Sequence, residues 1–243
     1  MARYRAASVA VVLAVDAGTT GIRAVAVDEE GIVRTAAYRE LAQHFPAPGL
    51  VEHDAEEIFG HVESVLAEVC GRFGEKGESV AALGITNQRE TAVAWDMASG
   101  RALCPCICWQ DRRTAARCGE LAAAGHLPEV RRRTGLVLDS YFSATKWEWM
   151  LRRGGVPASP RLALGTVDDW LVYRLTGGPD GGVHATDVSN ASRTLCFDIG
   201  ELAWSEELCE LFGIPRSALG EVRPSCGRFG LVHGGVAGGA LRG

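Results

Sequence analysis

The stretch Val11-Val12-Leu13-Ala14-Val15-Asp16-Ala17-Gly18-Thr19-Thr20-Gly21-Ile22-Arg23-Ala24-Val25-Ala26-Val27-Asp28 constrains the fold more than any other part of the chain. Two apolar, strand-like runs flank a short polar loop. The first run is continuous and β-branched, which predicts a strand buried on both faces. The second alternates, as its hairpin partner would, and Asp28-Glu29-Glu30-Gly31 supplies the next turn. Gly18 and Gly21 allow a tight turn and a close approach of backbone to a ligand. The loop N–H groups and the Thr19 and Thr20 hydroxyls are suited to donate to phosphate oxygens. Asp16, at the end of a strand, suits a hydrated Mg2+, which keeps most of its own waters and needs few carboxylates. Asp-x-Gly-Thr is a short pattern, and an ordinary hairpin with a threonine-capped turn accounts for it as well.

With 243 residues, 47% of them hydrophobic, the chain can bury one full core or two small ones. A net charge of -5 and a pI near 5.7 argue against a nucleic-acid footprint, which needs a basic face. Cys104, Cys106 and Cys108 alternate along the chain, so on a strand they share a face. The eight cysteines have neither zinc-site spacing nor the setting of a stapled secreted domain, and are read as buried free thiols in a reducing compartment. Arg3, Arg5 and the apolar run after them resemble a short signal peptide, but cleavage there would remove the strand ending at Asp16. The stretch is read as strand one of a cytoplasmic protein. No apolar run is long enough for a membrane span.

Further along, a third strand is expected at 32–38 and a proline-containing loop at 45–49. Asp54 with Glu57 reads as a cap opening a helix, and Ile58, Val62, Val65, Leu66, Val69 and Phe73 mark its apolar face. Residues 80–86 read as a buried strand, and 92–96 with 103–109 as a strand pair. Helices are expected at 111–124, 143–153, 166–175 and 205–212, with a Thr166/Asp169 capping box on the third. Arg131, Arg132 and Arg133 read as a solvated helix face. Strands first and strand–helix alternation later indicate an α/β layered domain. Residues 226–243 are glycine-rich without apolar periodicity.

Several segments together carry a resemblance. They are Asp16-Ala17-Gly18-Thr19-Thr20, Gly49-Leu50-Val51-Glu52-His53-Asp54, Gly84-Ile85-Thr86-Asn87-Gln88-Arg89-Glu90-Thr91 and Trp109-Gln110-Asp111-Arg112-Arg113. Ser140-Tyr141-Phe142-Ser143-Ala144-Thr145-Lys146, Gly165-Thr166-Val167-Asp168-Asp169-Trp170 and Thr186-Asp187-Val188-Ser189-Asn190-Ala191-Ser192-Arg193-Thr194 follow. In this order, over nearly the whole chain up to about Arg223, they resemble the amino-terminal domain of the glycerol kinases, in the FGGY carbohydrate-kinase family. The resemblance implies an actin/hexokinase/Hsp70-like (ribonuclease H-like) α/β fold, a mixed β-sheet with flanking helices. It places this domain at residues 1–229, leaves 230–243 as a glycine-rich tail expected to be disordered, and puts the family's second kinase domain outside the chain.

The resemblance also implies roles. Residues matching Arg89, Glu90 and Tyr141 hydrogen-bond glycerol in the family, and the one matching Trp109 packs on its carbons. Such a set suits a triol: the guanidinium and phenol donate, and the carboxylate accepts. Residues matching Thr19, Thr20, Gly21 and Arg23 lie against the nucleotide phosphates, and Asp16 matches the acid linked to Mg2+ through water. Ala17 and Gly21 depart from the family, which usually has Gln at the first position and often Ser at the second. His184, Asp187, Asn190 and Arg193 are family-like but read as turn and packing residues.

The implied reaction is phosphoryl transfer from ATP to glycerol, giving glycerol 3-phosphate and ADP with Mg2+. The family's general base is the Asp of a Gly-Asp-Gln segment, and no such segment occurs in these 243 residues. The expected activity of the chain alone is therefore negligible. Alternatives are an inactive remnant or polyol-binding module, and a sibling FGGY sugar kinase. Self-association is left open.

Overall fold

A computed structural model describes residues 10–73, 79–239 and 241. Arg3, Arg5 and the side chain of Phe73 lie outside the described residues. The elements begin with strands β1 (Ala10–Ala17), β2 (Gly21–Asp28), β3 (Val33–Glu40) and β4 (Glu52–His53), then helix α1 (Ala55–Phe73). Strands β5 (Ser79–Asn87), β6 (Val93–Asp96), β7 (Arg101–Ala102) and β8 (Cys106–Ile107) follow. Helices α2 (Ala115–Ala123), α3 (Leu127–Thr134) and α4 (Ser143–Arg152) precede strand β9 (Leu162–Gly165) and helix α5 (Val167–Leu175). Two shorter helices, α6 (Val188–Ala191) and α7 (Glu206–Phe212), come later. The chain divides into two compact units, one of residues 1–42, 58–87 and 232–243, the other of 43–57 and 88–231.

The first unit holds a mixed sheet in the order β3-β2-β1-β5. β1, β2 and β3 form an antiparallel meander, and β5 lies parallel to β1. Val11, Leu13, Val15 and Ala17 of β1 are fully buried with Ile22, Ala24 and Ala26 of β2. This corrects the expectation that β1 is buried on both faces. Its residues alternate, and Val12 is 46% exposed. β5 was expected to be buried too, yet no residue along it is. It is an edge strand, bonded among the described residues to β1 alone. Apolar content reads as burial only where something covers the second face, and here the described residues leave that face open. Helix α1 is capped by Asp54, whose Oδ1 accepts from the N–H groups of Glu56 (2.7 Å) and Glu57 (3.3 Å). Ile58, Val62, Val65, Leu66 and Val69 are all buried. Arg39 of β3 pairs with Glu68 at 2.6 Å, and the Arg72 guanidinium donates to the Ala36 carbonyl, joining this helix to the sheet's other edge. In the glycine-rich stretch, residues Val236–Gly239 form one 3-10 turn, and Val236 and Leu241 are buried.

The second unit packs short strands and helices around large aromatics. Trp95, Trp147, Trp170, Tyr173, Phe197 and Phe212 are nearly inaccessible. Three of them donate to main-chain carbonyls, Trp147 Nε1 to Gly165 O, Trp170 Nε1 to Ala55 O and Tyr173 OH to Met97 O, whereas the buried Trp95 Nε1 has no hydrogen-bond partner among the described residues. β6 lies between β7 and β9. The expected strand at 103–109 is interrupted at Pro105, which carries no N–H; what remains is β8, which pairs with β4 and keeps part of the expected pairing through an antiparallel bridge between Ile107 and Ala92. The expected helix at 111–124 starts only at Ala115. Asp111 instead turns inward, accepting from the N–H of Val51 at 2.7 Å and pairing with Arg113. Of the arginine run, Arg131 and Arg132 are exposed, whereas Arg133 bridges Glu129, Asp198 and Glu207. Cys106 and Cys108 are buried free thiols, and burial raises the pKa of both.

Candidate functional site

Within the first unit, the β1–β2 hairpin carries the phosphate-type residues. Gly18 N–H donates to Gly21 O at 3.0 Å, closing a loop that holds Thr19 and Thr20. Asp16 stands opposite Arg23 on β2 and Thr86 on β5. Asp16, Arg23 and Thr86 are exposed on the open face of the sheet. Cross-strand neighbours of this kind lie about 4.5–5.5 Å apart at Cβ. A lone exposed carboxylate at a strand end fits a cation that retains its waters. Among the described residues no group of three His, Cys, Asp or Glu side chains could cage a metal. At Gly21 a Cβ would run into the Tyr38 hydroxyl, so the tip of that tyrosine packs directly against the glycine. Tyr38 OH donates to Thr20 O at 3.2 Å, and the Arg23 guanidinium lies 5.7 Å from its ring centre.

Within the second unit, three of the four polyol-type residues come together. The Trp109 and Tyr141 rings are 5.4 Å apart, and Trp109 N–H donates to Thr91 Oγ1 at 3.2 Å. Glu90 is 2% exposed, and its backbone is left-handed with φ 60°. Its carboxylate pairs with Arg193, whose Nε donates to Oε1 at 2.7 Å. The Arg193 guanidinium also lies 5.8 Å from the Tyr141 ring centre and 4.9 Å from that of Phe142. Arg193 is thus tied to the candidate site and is more than a turn residue. Arg89 is exposed beside Glu90.

Lys146 was missed as a functional candidate. It is fully buried on α4, and Nζ donates to Glu90 O (2.9 Å) and Tyr141 O (2.6 Å). Burial pulls its pKa down to about 7. The sequence held a signal: Phe142, Lys146 and Met150 recur every four residues, which puts the lysine on the helix's apolar stripe. Beneath the Trp109 segment, Arg113 bridges Asp111 (2.8 Å) and Glu52 (2.7 Å) and lies 4.6 Å from the Trp149 ring centre.

Residues 11–241 match the FGGY family of carbohydrate kinases, N-terminal domain. The chain belongs to the FGGY family of carbohydrate kinases. This FGGY domain is 50% identical over 226 residues to the glycerol kinase of Koribacter versatilis and 49% identical over 235 residues to that of Halorhodospira halophila. Those alignments take in 91% and 94% of the chain but 45% of each relative, so the chain spans about half the length of the curated relatives it matches. The crystal structure of Plasmodium falciparum glycerol kinase with ADP superposes with a TM-score of 0.88 at 32% identity, covering 96% of this chain and 47% of that one. A xylulose kinase from Rhodospirillum rubrum, 24% identical over 95% of this chain and 46% of its own, shares the FGGY fold with a TM-score of 0.85. The mixed sheet and flanking helices are those of the FGGY amino-terminal domain. No helix among the described residues is long and apolar enough to cross a membrane.

Proposed function

We propose that this chain is the polyol-recognising and phosphate-handling half of a cytoplasmic, ATP-dependent glycerol kinase, which converts glycerol and ATP to glycerol 3-phosphate and ADP. The observation that carries the reading is the cluster of Glu90, Tyr141 and Trp109, fastened through Arg193 and Thr91. In this reading the Glu90 carboxylate accepts hydrogen bonds from glycerol hydroxyls. Tyr141 OH and Arg89 donate, and the Trp109 ring covers the carbons. A buried carboxylate left without its hydroxyl is costly, so the site selects a triol over a diol. Thr19, Thr20, Gly21 N–H and Arg23 would receive the phosphates. Asp16 would hold a Mg2+ ion through water, and that ion would offset charge on the transferring phosphoryl group.

The 243 residues contain no Gly-Asp-Gln segment to accept the proton of the attacking hydroxyl. A missing general base alone costs ~10²–10⁴-fold in rate. The chain by itself is therefore proposed to bind a polyol without measurable turnover. Ligand-observed NMR with glycerol, 1,3-propanediol, xylulose and gluconate, beside a coupled ADP-release assay, tests both statements. Glycerol should bind, and the diol should bind about tenfold or more weakly. No ADP should be released. Preference for xylulose or gluconate would instead indicate a sibling sugar kinase. ADP release near that of a complete glycerol kinase would remove the second statement.

A further inference from the structure

We propose that Lys146 and Arg193 are positioning residues of the candidate polyol site, Lys146 fixing the backbones of Glu90 and Tyr141 and Arg193 fixing the Glu90 carboxylate. The inference rests on the polyol reading above and adds two residues to which the family resemblance assigns no role. Its starting point is the left-handed backbone of Glu90, a conformation unfavourable for a residue with a Cβ and maintained only where neighbours enforce it. Three donors enforce it here. Lys146 Nζ (2.9 Å) and Ser143 Oγ (3.1 Å), both from α4, converge on the Glu90 carbonyl, and Arg193 Nε takes Oε1. The same lysine nitrogen donates to Tyr141 O, so one amine spans two candidate polyol contacts. Ala144 N–H donates to Thr194 O at 2.8 Å, which joins the start of α4 to the segment bearing Arg193. This buried lysine donates to two main-chain carbonyls, which places it to hold backbone. With Oε1 held by Arg193, the other carboxylate oxygen of Glu90 is directed by the same contact and becomes the acceptor for a hydroxyl.

The test uses the full 15N-labelled chain and two variants, Lys146→Met and Arg193→Gln, with Arg193→Lys as the conservative control. Two quantities are read: glycerol affinity, and the positions of the Glu90 and Thr91 amide signals and the Trp109 indole signal without ligand. Both variants should shift those three signals while the Asp198 and Gly213 amides stay in place. Glycerol should bind about tenfold or more weakly, and Arg193→Lys should recover part of that loss. Unmoved signals, or an affinity within about twofold of the unsubstituted chain, would overturn the proposal. Should Lys146→Met not fold, Arg193→Gln decides alone, since the Arg193 side chain is 29% exposed and glutamine retains much of its stem. If the unsubstituted chain binds no glycerol, the polyol reading fails by itself. The ligand-free signals then still decide whether these two residues set the Glu90 backbone.

Discussion

Gly21 has no room for a side chain, yet what fills its place is the tip of a half-exposed tyrosine that can swing aside. Gly21→Ala should therefore expel the Tyr38 ring, breaking its bond to Thr20 O and its stacking with Arg23, and lower stability by about 1 kcal/mol. Adding Tyr38→Ala should then cost less than it does alone, a non-additivity that a urea-denaturation double-mutant cycle measures. Arg113 is a sterner case. Its side chain is 7% exposed and pairs with a completely buried Asp111 carboxylate, so Arg113→Ala strands a charge. Denaturation should show a loss of about 3–5 kcal/mol, partly recovered by pairing Asp111→Asn with Arg113→Met. Residue identities were legible in the sequence further than residue partners were. Glu90 stands next to an arginine, but its ion pair is with one 103 positions away, and only the fold brings that pair together.

At the level of elements, the start of α5 gathers titrating groups. Thr166 and Asp169 form the capping box expected from sequence, with Thr166 N–H donating to Asp169 Oδ2 at 2.9 Å. Asp168 accepts from Thr166 and from Thr186 Oγ1 (2.6 Å). Burial raises Asp168 to about 6 and also raises Asp169, which the neighbouring Asp168 charge pushes further up. His184 Nε2 lies 3.8 Å from Asp169 Oδ1, and burial lowers that histidine to about 4, leaving it neutral near pH 7. Carboxyl pKa values raised by folding contribute stability that is complete below the ordinary aspartate value of 3.8 and lost as pH rises through about 6. Depressed histidines act oppositely, contributing above 6.5 and losing that contribution as pH falls through about 4. Asp169→Asn keeps an acceptor for Thr166 and supplies an N–H toward His184. Relative to the unsubstituted chain, its denaturation midpoint should gain progressively from pH 4 to pH 7. Helix ends such as this one, the Asp54 cap and the Ser205 to Gly213 span of α7 were legible because a cap is a local bargain between a few adjacent residues. β5 was not, since Val80, Leu83 and Ile85 carry no mark of whether a further layer covers them. Among the described residues no further strand pairs with its outer edge, and with the exposed Val12 beside it this favours association between copies. Ala82→Lys, on the open face, should reduce light scattering on heating and change stability by no more than about 0.5 kcal/mol.

For the whole molecule, what matters is how the chain is shared out. Neither unit is contiguous: residues 43–57 of the second interrupt the first, and helix α1 begins in one unit and continues in the other. A single protease cut in the exposed loop around Phe45 to Gly49 should not release a domain. The two pieces should co-elute on size exclusion and separate only in denaturant, because β1 before the cut pairs with β5 after it. The α/β character and the strand-then-helix order were legible at this scale, and the division into interleaved units was not, because it depends on contacts between distant segments. The parallel pairing of β1 with β5 also sets a schedule for synthesis on the ribosome. β1, β2 and β3 emerge as a finished meander, while the strand that completes β1 follows only after α1 has been made. At ribosomal speeds of ~5–20 residues per second, the bare flank of β1 waits seconds for its neighbour. The nascent chain thus passes through a stage at which its most apolar strand is open to chaperones, and the translation rate through α1 governs how long that stage lasts.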